Sequence, residues 1–299
     1  METTVKKKPI QISVSLAVLC AILALYTIIF FIPIVWALLT TFKDYNIYRL
    51  GTARKDIELM LGFNNMTFDN FIHAFTEFKI PVLDTYANMW EMFGNSILYA
   101  GGCAVVATMV PCVMAYLVAR FNFYLGKIVY GIVLVTMAIP IVGSLPSEIA
   151  MVENLHLMDT VLGLYVLKSN FLGIYFLVFH AQFKAIPKDY TEAAEIDGAS
   201  DMHIMVKIIF PIAIGTITTV MLLNFIAFWN DYQIPMIYWE SRPVIAYGMY
   251  YFVRVTSGQM GATPVKLAAM VIVAVPIIVL FLIFNKKIMS NMSIGGVKG

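Results

Sequence analysis

Charged residues are scarce in this sequence. Asp, Glu, Lys and Arg make up 13% of the 299 residues, whereas a soluble domain carries about 25%. Hydrophobic residues make up 61% and the mean hydropathy is +0.83, so lipid must solvate much of the surface. The formal net charge is only +2, and no basic tract is interleaved with aromatic residues, which argues against a nucleic-acid partner.

Cysteine and histidine are also rare, and neither is clustered. The three cysteines lie in apolar runs without CxxC or CxxH spacing, and the four histidines are spread over different segments, so neither a disulfide framework nor a metal site is predicted. The HExxH, GxSxG and GxxxxGK[ST] motifs are absent from the sequence, which argues against a zinc protease, a serine hydrolase and an ATPase. We therefore predict no enzymatic activity, no catalytic residue, no metal and no cofactor for this chain.

Long apolar runs dominate what the sequence does contain. A membrane helix needs roughly 20 mostly apolar residues, because it must cross the hydrocarbon while satisfying its own backbone. The Lys-rich start resembles a secretory signal, but the following uncharged run extends from Pro9 to Phe42 and predicts an uncleaved first span. We expect an all-α membrane protein with a single transmembrane domain over residues 1–299. The six predicted spans cover residues 12–41, 94–119, 128–148, 160–183, 208–231 and 266–286.

The distribution of basic residues predicts the orientation of these spans. Six spans place both termini on one side, and the segments assigned to that side carry more Lys and Arg than Asp and Glu. The short loops show the same bias, since residues 120–127 contain two basic residues and residues 148–159 contain none. We expect both termini in the cytoplasm, with a C-terminal tail over residues 288–299. The outer segment, residues 42–91, contains a predicted capped helix start at residues 67–71.

The inner segment, residues 184–207, is too long and too polar for a simple turn. Gly198 is suited to the left-handed conformation that ends a helix, and Ser200 or Asp201 is suited to begin the next one. Ala194 and Gly198 are four residues apart and would share one face, where the surface of a partner can approach the backbone closely. The sequence therefore predicts two short helices that meet at a glycine and form a docking surface.

The same segment carries a family resemblance. Glu192, Ala193 and Ala194, followed by Gly198 and by the apolar residues 208–211, resemble the EAA loop of ABC importer permeases. Phe210 departs from the leucine that is usual there but keeps the position apolar. The resemblance implies a type I importer permease fold with a cytoplasmic coupling helix that docks on an ATPase subunit. The residues to which it assigns this docking are Glu192, Ala193, Ala194, Asp197 and Gly198.

Further motifs resemble the carbohydrate-uptake branch of this family. Residues 139–140 resemble the sugar-importer branch, and residues 228–232, 242–243 and 295–299 resemble the smaller permease of the maltose transporter and its relatives. The resemblance implies a bacterial inner-membrane subunit that imports a carbohydrate, in particular an oligosaccharide. It also implies a second permease, two ATPase subunits that bind ATP and Mg, and an external solute-binding protein. A frayed tail is the alternative to an ATPase contact at the glycine-rich end, where the implied contact residues are Gly296, Val297 and Lys298.

Polar residues within the apolar runs are candidates for the substrate path. A cation in mid-span costs on the order of 2.5 to 3.5 kcal/mol on insertion scales, so Lys168 should face a polar interior or else extend to the headgroups. Asn170 and Asn224 should bond either a sugar or another helix. One further stretch combines aromatic faces with polar groups, as sugar sites do, although packing is its preferred interpretation. Its candidate residues are Trp229, Asn230 and Asp231.

An ion-gradient-driven secondary transporter of a small solute is the main alternative function. Such a protein needs carboxylates near the middle of the membrane to carry the coupling ion. All 18 Asp and Glu residues fall in loops or at span ends, with Asp231 nearest to an exception. The sequence therefore favours the ATP-driven importer.

Overall fold

The structure is a computed structural model that describes residues 14–56, 58, 66–139, 143–255 and 261–292. Helices predominate in these ranges, as the composition predicts. The chain divides into two compact units. The first comprises Met1–Ala74 and Ser257–Val271, and the second comprises Phe75–Thr256 and Ile272–Gly299.

The first unit begins with a long apolar helix, α1, over Val14–Thr41. Its side chains from residue 15 to residue 35 are exposed, as expected of a span that is surrounded by lipid or by a partner subunit. Asp44 then begins α2, over Tyr45–Arg54, because its carboxylate accepts hydrogen bonds from the first backbone amides of that helix.

The predicted helix start in the outer segment is confirmed. Helix α3 spans Asp69–Glu77, and the hydroxyl of Thr67 accepts a hydrogen bond of 3.1 Å from the backbone amide two residues further on. Asn70 is buried, and its amide donates to the carbonyl oxygens of Thr41 and Lys43 at 2.8 and 2.7 Å. These bonds tie the end of α1 to the start of α3.

A short β-hairpin, which the sequence did not predict, lies near the start of the second unit. Strands β1, Lys79–Val82, and β2, Thr85–Asn88, pair antiparallel with Lys79 opposite Asn88. Asn88 also caps the helix that follows, since its side chain accepts from the amide of Glu91 and its own amide donates to the Glu91 carboxylate. The helical fold class is confirmed, with this one hairpin added in the described ranges.

Helix α4, over Met89–Arg120, is the longest helix of the second unit's described residues. The predicted third span covers most of α5, Tyr124–Ala138, and the start of α6, Leu145–Asn154. The predicted fourth span covers α7, Val161–Lys168, and most of α8, Ile174–Ala185. Gly173 lies between α7 and α8 with a φ of 142°, a conformation that other residues rarely adopt.

The chain is bent within the predicted fifth span. The axis turns by 77° between Asp201–Ile212 and Ile214–Trp229. A π-helical turn and Pro211 precede the bend, and both disturb the regular hydrogen bonding of an α-helix. The elements of this region are Asp189–Ile196 (α9), Asp201–Ile204 (α10), the π turn Met205–Ile209, Phe210–Ile212 (α11) and Ile214–Trp229 (α12). The last helices are Gln233–Tyr238 (α13), Ile245–Val255 (α14) and Thr263–Met292 (α15).

Three described helices have both the length and the hydropathy of a membrane span, namely Ser15–Thr41, Met89–Arg120 and Thr263–Phe284. The bent pair makes a fourth if its two halves form one span. By this criterion the described residues contain fewer spans than the six that the sequence predicts, and the number six stays a prediction. The other two predicted spans fall on α5 to α8, where the helices are shorter.

Helix α4 organises the packing of the second unit, because α8 and α12 lie along it. Near the end of α4, the ring of Tyr116 lies 5.6 Å from that of Phe183 and 6.1 Å from that of Phe210. Ala194 and Ile204, from the inner segment, belong to the same buried cluster. The inner segment is therefore packed directly against the ends of the long helices.

Candidate functional site

The inner segment folds as the sequence predicts, into two short helices that meet at Gly198. Helix α9 ends in a Schellman turn, in which the amide of Ala199 donates to the Ala194 carbonyl at 2.9 Å and that of Gly198 donates to the Glu195 carbonyl at 3.0 Å. Gly198 has a φ of +79°, the left-handed conformation that this turn requires. Of the two candidate caps, Ser200 begins α10, since its hydroxyl accepts from the amide three residues further on.

Ala194 does not lie on an exposed docking face, as the sequence predicted, but is buried. This residue is 7% exposed and lies in the core cluster with Phe183 and Ile204, so its small side chain serves packing within the chain. The other four predicted docking residues are exposed. They are Glu192, Ala193, Asp197 and Gly198.

Three large apolar side chains on the inner segment were missed by the sequence reasoning. Ile196 is 86% exposed, Met202 is 66% exposed and Tyr190 is 52% exposed. Several large apolar side chains exposed within one short segment indicate a surface that another molecule covers. The sequence could have indicated them, because large apolar residues are unusual within a stretch that is otherwise rich in charged residues. We call residues 189–202 the docking loop.

Acidic and basic side chains meet at the root of the docking loop. A cavity of about 190 Å³ is lined by Glu192, Glu195 and Asp201 together with Arg120 and Lys188. Two acidic residues also lie in the first turn of α9, where they interact favourably with the helix dipole. Packing thus holds the loop near the end of α4, and side chains of both charges line the cavity beside it.

A second group of polar side chains lies at the ends of α7 and α12. The hydroxyl of Tyr99 donates to Oδ2 of Asp231 at 2.8 Å, and Nζ of Lys168 lies 3.9 Å from the same oxygen. The Lys168 ammonium also lies 5.1 Å from the centre of the Phe228 ring. Oδ1 of Asp231 accepts from the first two amides of α13. Lys168 and Asp231 are the two predicted path residues that the structure brings together.

The other candidates for the substrate path have hydrogen-bond partners within the chain. Nδ2 of Asn224 donates to Oγ1 of Thr108 at 3.0 Å, so this amide joins α12 to α4. Trp229 is 2% exposed, and its indole donates to a backbone carbonyl of α15 at 3.3 Å. Asn230 and Asn170 bond backbone atoms within four residues of themselves. Packing therefore accounts for Asn224 and Trp229.

The predicted tail contacts fall on Gly296, Val297 and Lys298, which lie outside the described residues. Within the described ranges, no group of three or more His, Cys, Asp or Glu residues is placed to hold a metal ion.

The chain belongs to a known family of membrane transport proteins. Residues 107–293 match the family described as the binding-protein-dependent transport system inner membrane component. The match begins in the second half of α4 and includes the docking loop. The chain is therefore a permease component of an ABC importer, that is, a transport subunit of the inner membrane.

Similarity to individual proteins extends over most of the chain. It is 25% identical to the diacetylchitobiose uptake system permease protein NgcG of Streptomyces coelicolor over 281 residues, which are 92% of this chain and 86% of that protein. It is also 25% identical to the arabinooligosaccharides transport system permease protein AraQ of Halalkalibacterium halodurans over 246 residues, 82% of this chain and 85% of that protein.

A solved structure shares the fold. A chain of a bacterial ABC transporter involved in the import of the acidic polysaccharide alginate superimposes with a TM-score of 0.72, at 21% sequence identity. The superposition covers 90% of this chain and 95% of the other. The observed architecture is thus that of an ABC importer permease.

Proposed function

We propose that this chain couples solute import to a separate ATPase subunit through the docking loop, residues 189–202. The observation that carries the proposal is the exposed apolar surface of that loop, with Ile196 86% exposed beside the glycine-terminated end of α9. An ATPase cleft that receives α9 would cover this surface. ATP and Mg would bind the ATPase subunits.

The proposed cargo is a carbohydrate, and in particular an oligosaccharide. Two relatives carry names that refer to diacetylchitobiose and to arabinooligosaccharides, and the structural neighbour imports alginate. The sequence similarity to both relatives covers more than four fifths of this chain. Lys168 and Asp231 are the described residues best placed to respond to a solute, because their charges face each other between two helices.

The proposed assembly contains a second permease, two ATPase subunits and an external solute-binding protein. The family description supports the binding protein, since transport in this family is binding-protein-dependent. The excess of basic residues on the docking-loop side supports a cytoplasmic location for that loop and for both termini. A bacterial inner membrane is the corresponding location of the complex.

Movement of the docking loop would reach the helices through packed aromatic rings. Tyr116 on α4, Phe183 on α8 and Phe210 on α11 contact one another, and Ala194 of the loop belongs to the same cluster. Close-packed interiors transmit displacement because their side chains have little free space. A shift of α9 that follows the ATPase would therefore move the ends of α4 and α8 as well.

The substitution Gly198→Asp tests the docking role. It places a side chain and a negative charge on an exposed, glycine-specific position, and we expect the ATPase to be lost from the purified complex and uptake to be abolished, with membrane insertion unchanged. His156→Asp is the matched control, because it adds a negative charge at an exposed position that also has a left-handed backbone, with a φ of +55°, but lies outside the docking loop and outside the predicted spans. Normal ATPase co-purification and normal uptake with Gly198→Asp would contradict the proposal.

A further inference from the structure

A second and larger cavity lies beside the root of the docking loop. Its volume is about 610 Å³. The end of α4, the start of α5 and the end of α8 supply its walls, together with residues 186 and 188. The cavity therefore lies at the termini of three apolar helices.

The lining of this cavity is strongly basic. Arg120, Lys127, Lys184 and Lys188 line it, and none of its fourteen lining residues is acidic. Lys127 and Lys184 do not line the smaller cavity, in which the carboxylates of the docking loop lie. Arg120 and Lys188 line both cavities, so the docking-loop carboxylates offset part of their charge, whereas Lys127 and Lys184 repel each other unless an anion lies between them.

Arg120 gives a second, independent indication of an anion. Its Nε and Nη2 atoms are buried and have no hydrogen-bond partner in the described part of the chain. A buried donor without a partner is costly, and a guanidinium group is the side chain best suited to bind phosphate oxygens in pairs. Arg120 thus brings a guanidinium group with two unpartnered donors into the wall of a positively charged cavity.

Apolar surface continues from the cavity along the outside of α5. Phe121 and Phe123 line the cavity and are 38% and 39% exposed, while Tyr124 and Leu125 are 79% and 64% exposed. Acyl chains cover surfaces of this kind in a membrane, and a headgroup then lies at the level where the apolar runs end. The cavity combines a place for a phosphate with a path for the attached chains.

We propose that this cavity binds the headgroup of an anionic phospholipid. Arg120 and Lys188 bond the phosphate next to the docking loop, and Lys127 and Lys184 hold it from α5 and α8. The lipid comes from the leaflet on the docking-loop side, and only the identification of that leaflet as cytoplasmic rests on the proposed function. Because Lys188 is the residue that precedes α9, the bound lipid fixes the root of the docking loop.

The test measures the binding of fluorescent phosphatidylglycerol to the full chain purified in mild detergent, with any subunits that co-purify. We expect the protein to prefer phosphatidylglycerol over phosphatidylcholine with the same acyl chains. The double variant Lys127→Gln/Lys184→Gln should weaken the binding of phosphatidylglycerol by about tenfold or more. The control variant Lys79→Gln/Lys207→Gln removes the same charge from exposed positions that do not line the cavity, and it should bind as the unmodified protein does.

Several results would overturn this assignment. Equal binding of the two lipids, or unchanged binding by the double variant, would show that the cavity does not recognise an anionic headgroup. Displacement by inorganic phosphate at concentrations similar to those of phosphatidylglycerol would show a site for a free anion. If the double variant does not fold, the same binding measurement is made on the single variants Lys127→Gln and Lys184→Gln. Lipid binding is measured whether or not an ATPase co-purifies, so a failure of the transport proposal is seen separately.

Discussion

The hydrogen bond between Asn224 and Thr108 gives a quantitative test of how α12 is held against α4. The amide nitrogen lies 3.0 Å from the hydroxyl oxygen, and the two residues are 6% and 0% exposed. Hydrogen bonds between membrane helices contribute about 0.6 kcal/mol on average and up to about 1.7 kcal/mol. Because Asn224 and Thr108 are both buried, water cannot replace the partner that a substitution removes. We therefore expect a contribution in the upper part of that range.

We expect Thr108→Val, which keeps the shape of the side chain, to lower the free energy of unfolding by about 1 to 2 kcal/mol. The matched control is Thr219→Val on α12, because the Thr219 hydroxyl donates only to the carbonyl four residues before it in its own helix. That control should cost a few tenths of a kcal/mol at most, about the scale of an ordinary surface change. Reversible unfolding of the protein in lipid bicelles measures both values.

A double-mutant cycle separates the bond from the packing around it. Asn224→Leu should be clearly less damaging in the Thr108→Val background than in the unmodified protein, because the bond has already been removed. Equal losses for Asn224→Leu in the two backgrounds, or equal losses for Thr108→Val and Thr219→Val, would refute the reasoning.

Two further predictions concern close packing and a buried amide. Gly102→Ala should loosen the contact of α4 with α7, since an added Cβ would overlap the ring of Tyr165, whereas Gly101→Ala should be nearly neutral because its Cβ would meet open space. Thermal unfolding of the two variants compares them, and similar midpoints would contradict the steric argument. Asn70→Ala should lower the free energy of unfolding by about 1 to 3 kcal/mol, because it leaves two buried carbonyls without donors. Faster proteolysis in the outer segment should accompany this loss, and a proteolysis pattern identical to that of the unmodified protein would argue against it.

The docking loop could be predicted because its structure depends on short-range chemistry. The Schellman turn joins Ala194 and Ala199, which are five residues apart, and only glycine takes the required conformation at Gly198 without strain. The serine cap of α10 likewise depends on atoms three residues apart. Hydrogen bonds between residues that are three to five positions apart can be predicted from a short stretch of sequence.

The hairpin and the internal breaks of the predicted spans could not be derived in the same way. Each strand of the hairpin has four residues, and the Leu83–Asp84 connection is not one of the sequences that mark tight hairpins. The partner of Asn224 lies 116 residues away in the sequence, and Ala194 is buried in a cluster that includes residues from α4 and α8. Long-range packing decides these features, and no local pattern contains it.

Charged residues of both candidate sites lie at the ends of helices. This position explains why the contacts of these functional candidates are difficult to predict from the sequence. Arg120 is the last residue of α4 and Lys168 is the last residue of α7, while Asp231 follows the end of α12 by two residues. A charge at a helix end reaches groups outside the apolar run and avoids the cost of a place in mid-span. Helix ends are also where hydropathy gives the least precise boundaries. Long apolar runs therefore predict the spans, whereas the contacts between helix ends determine which charges meet.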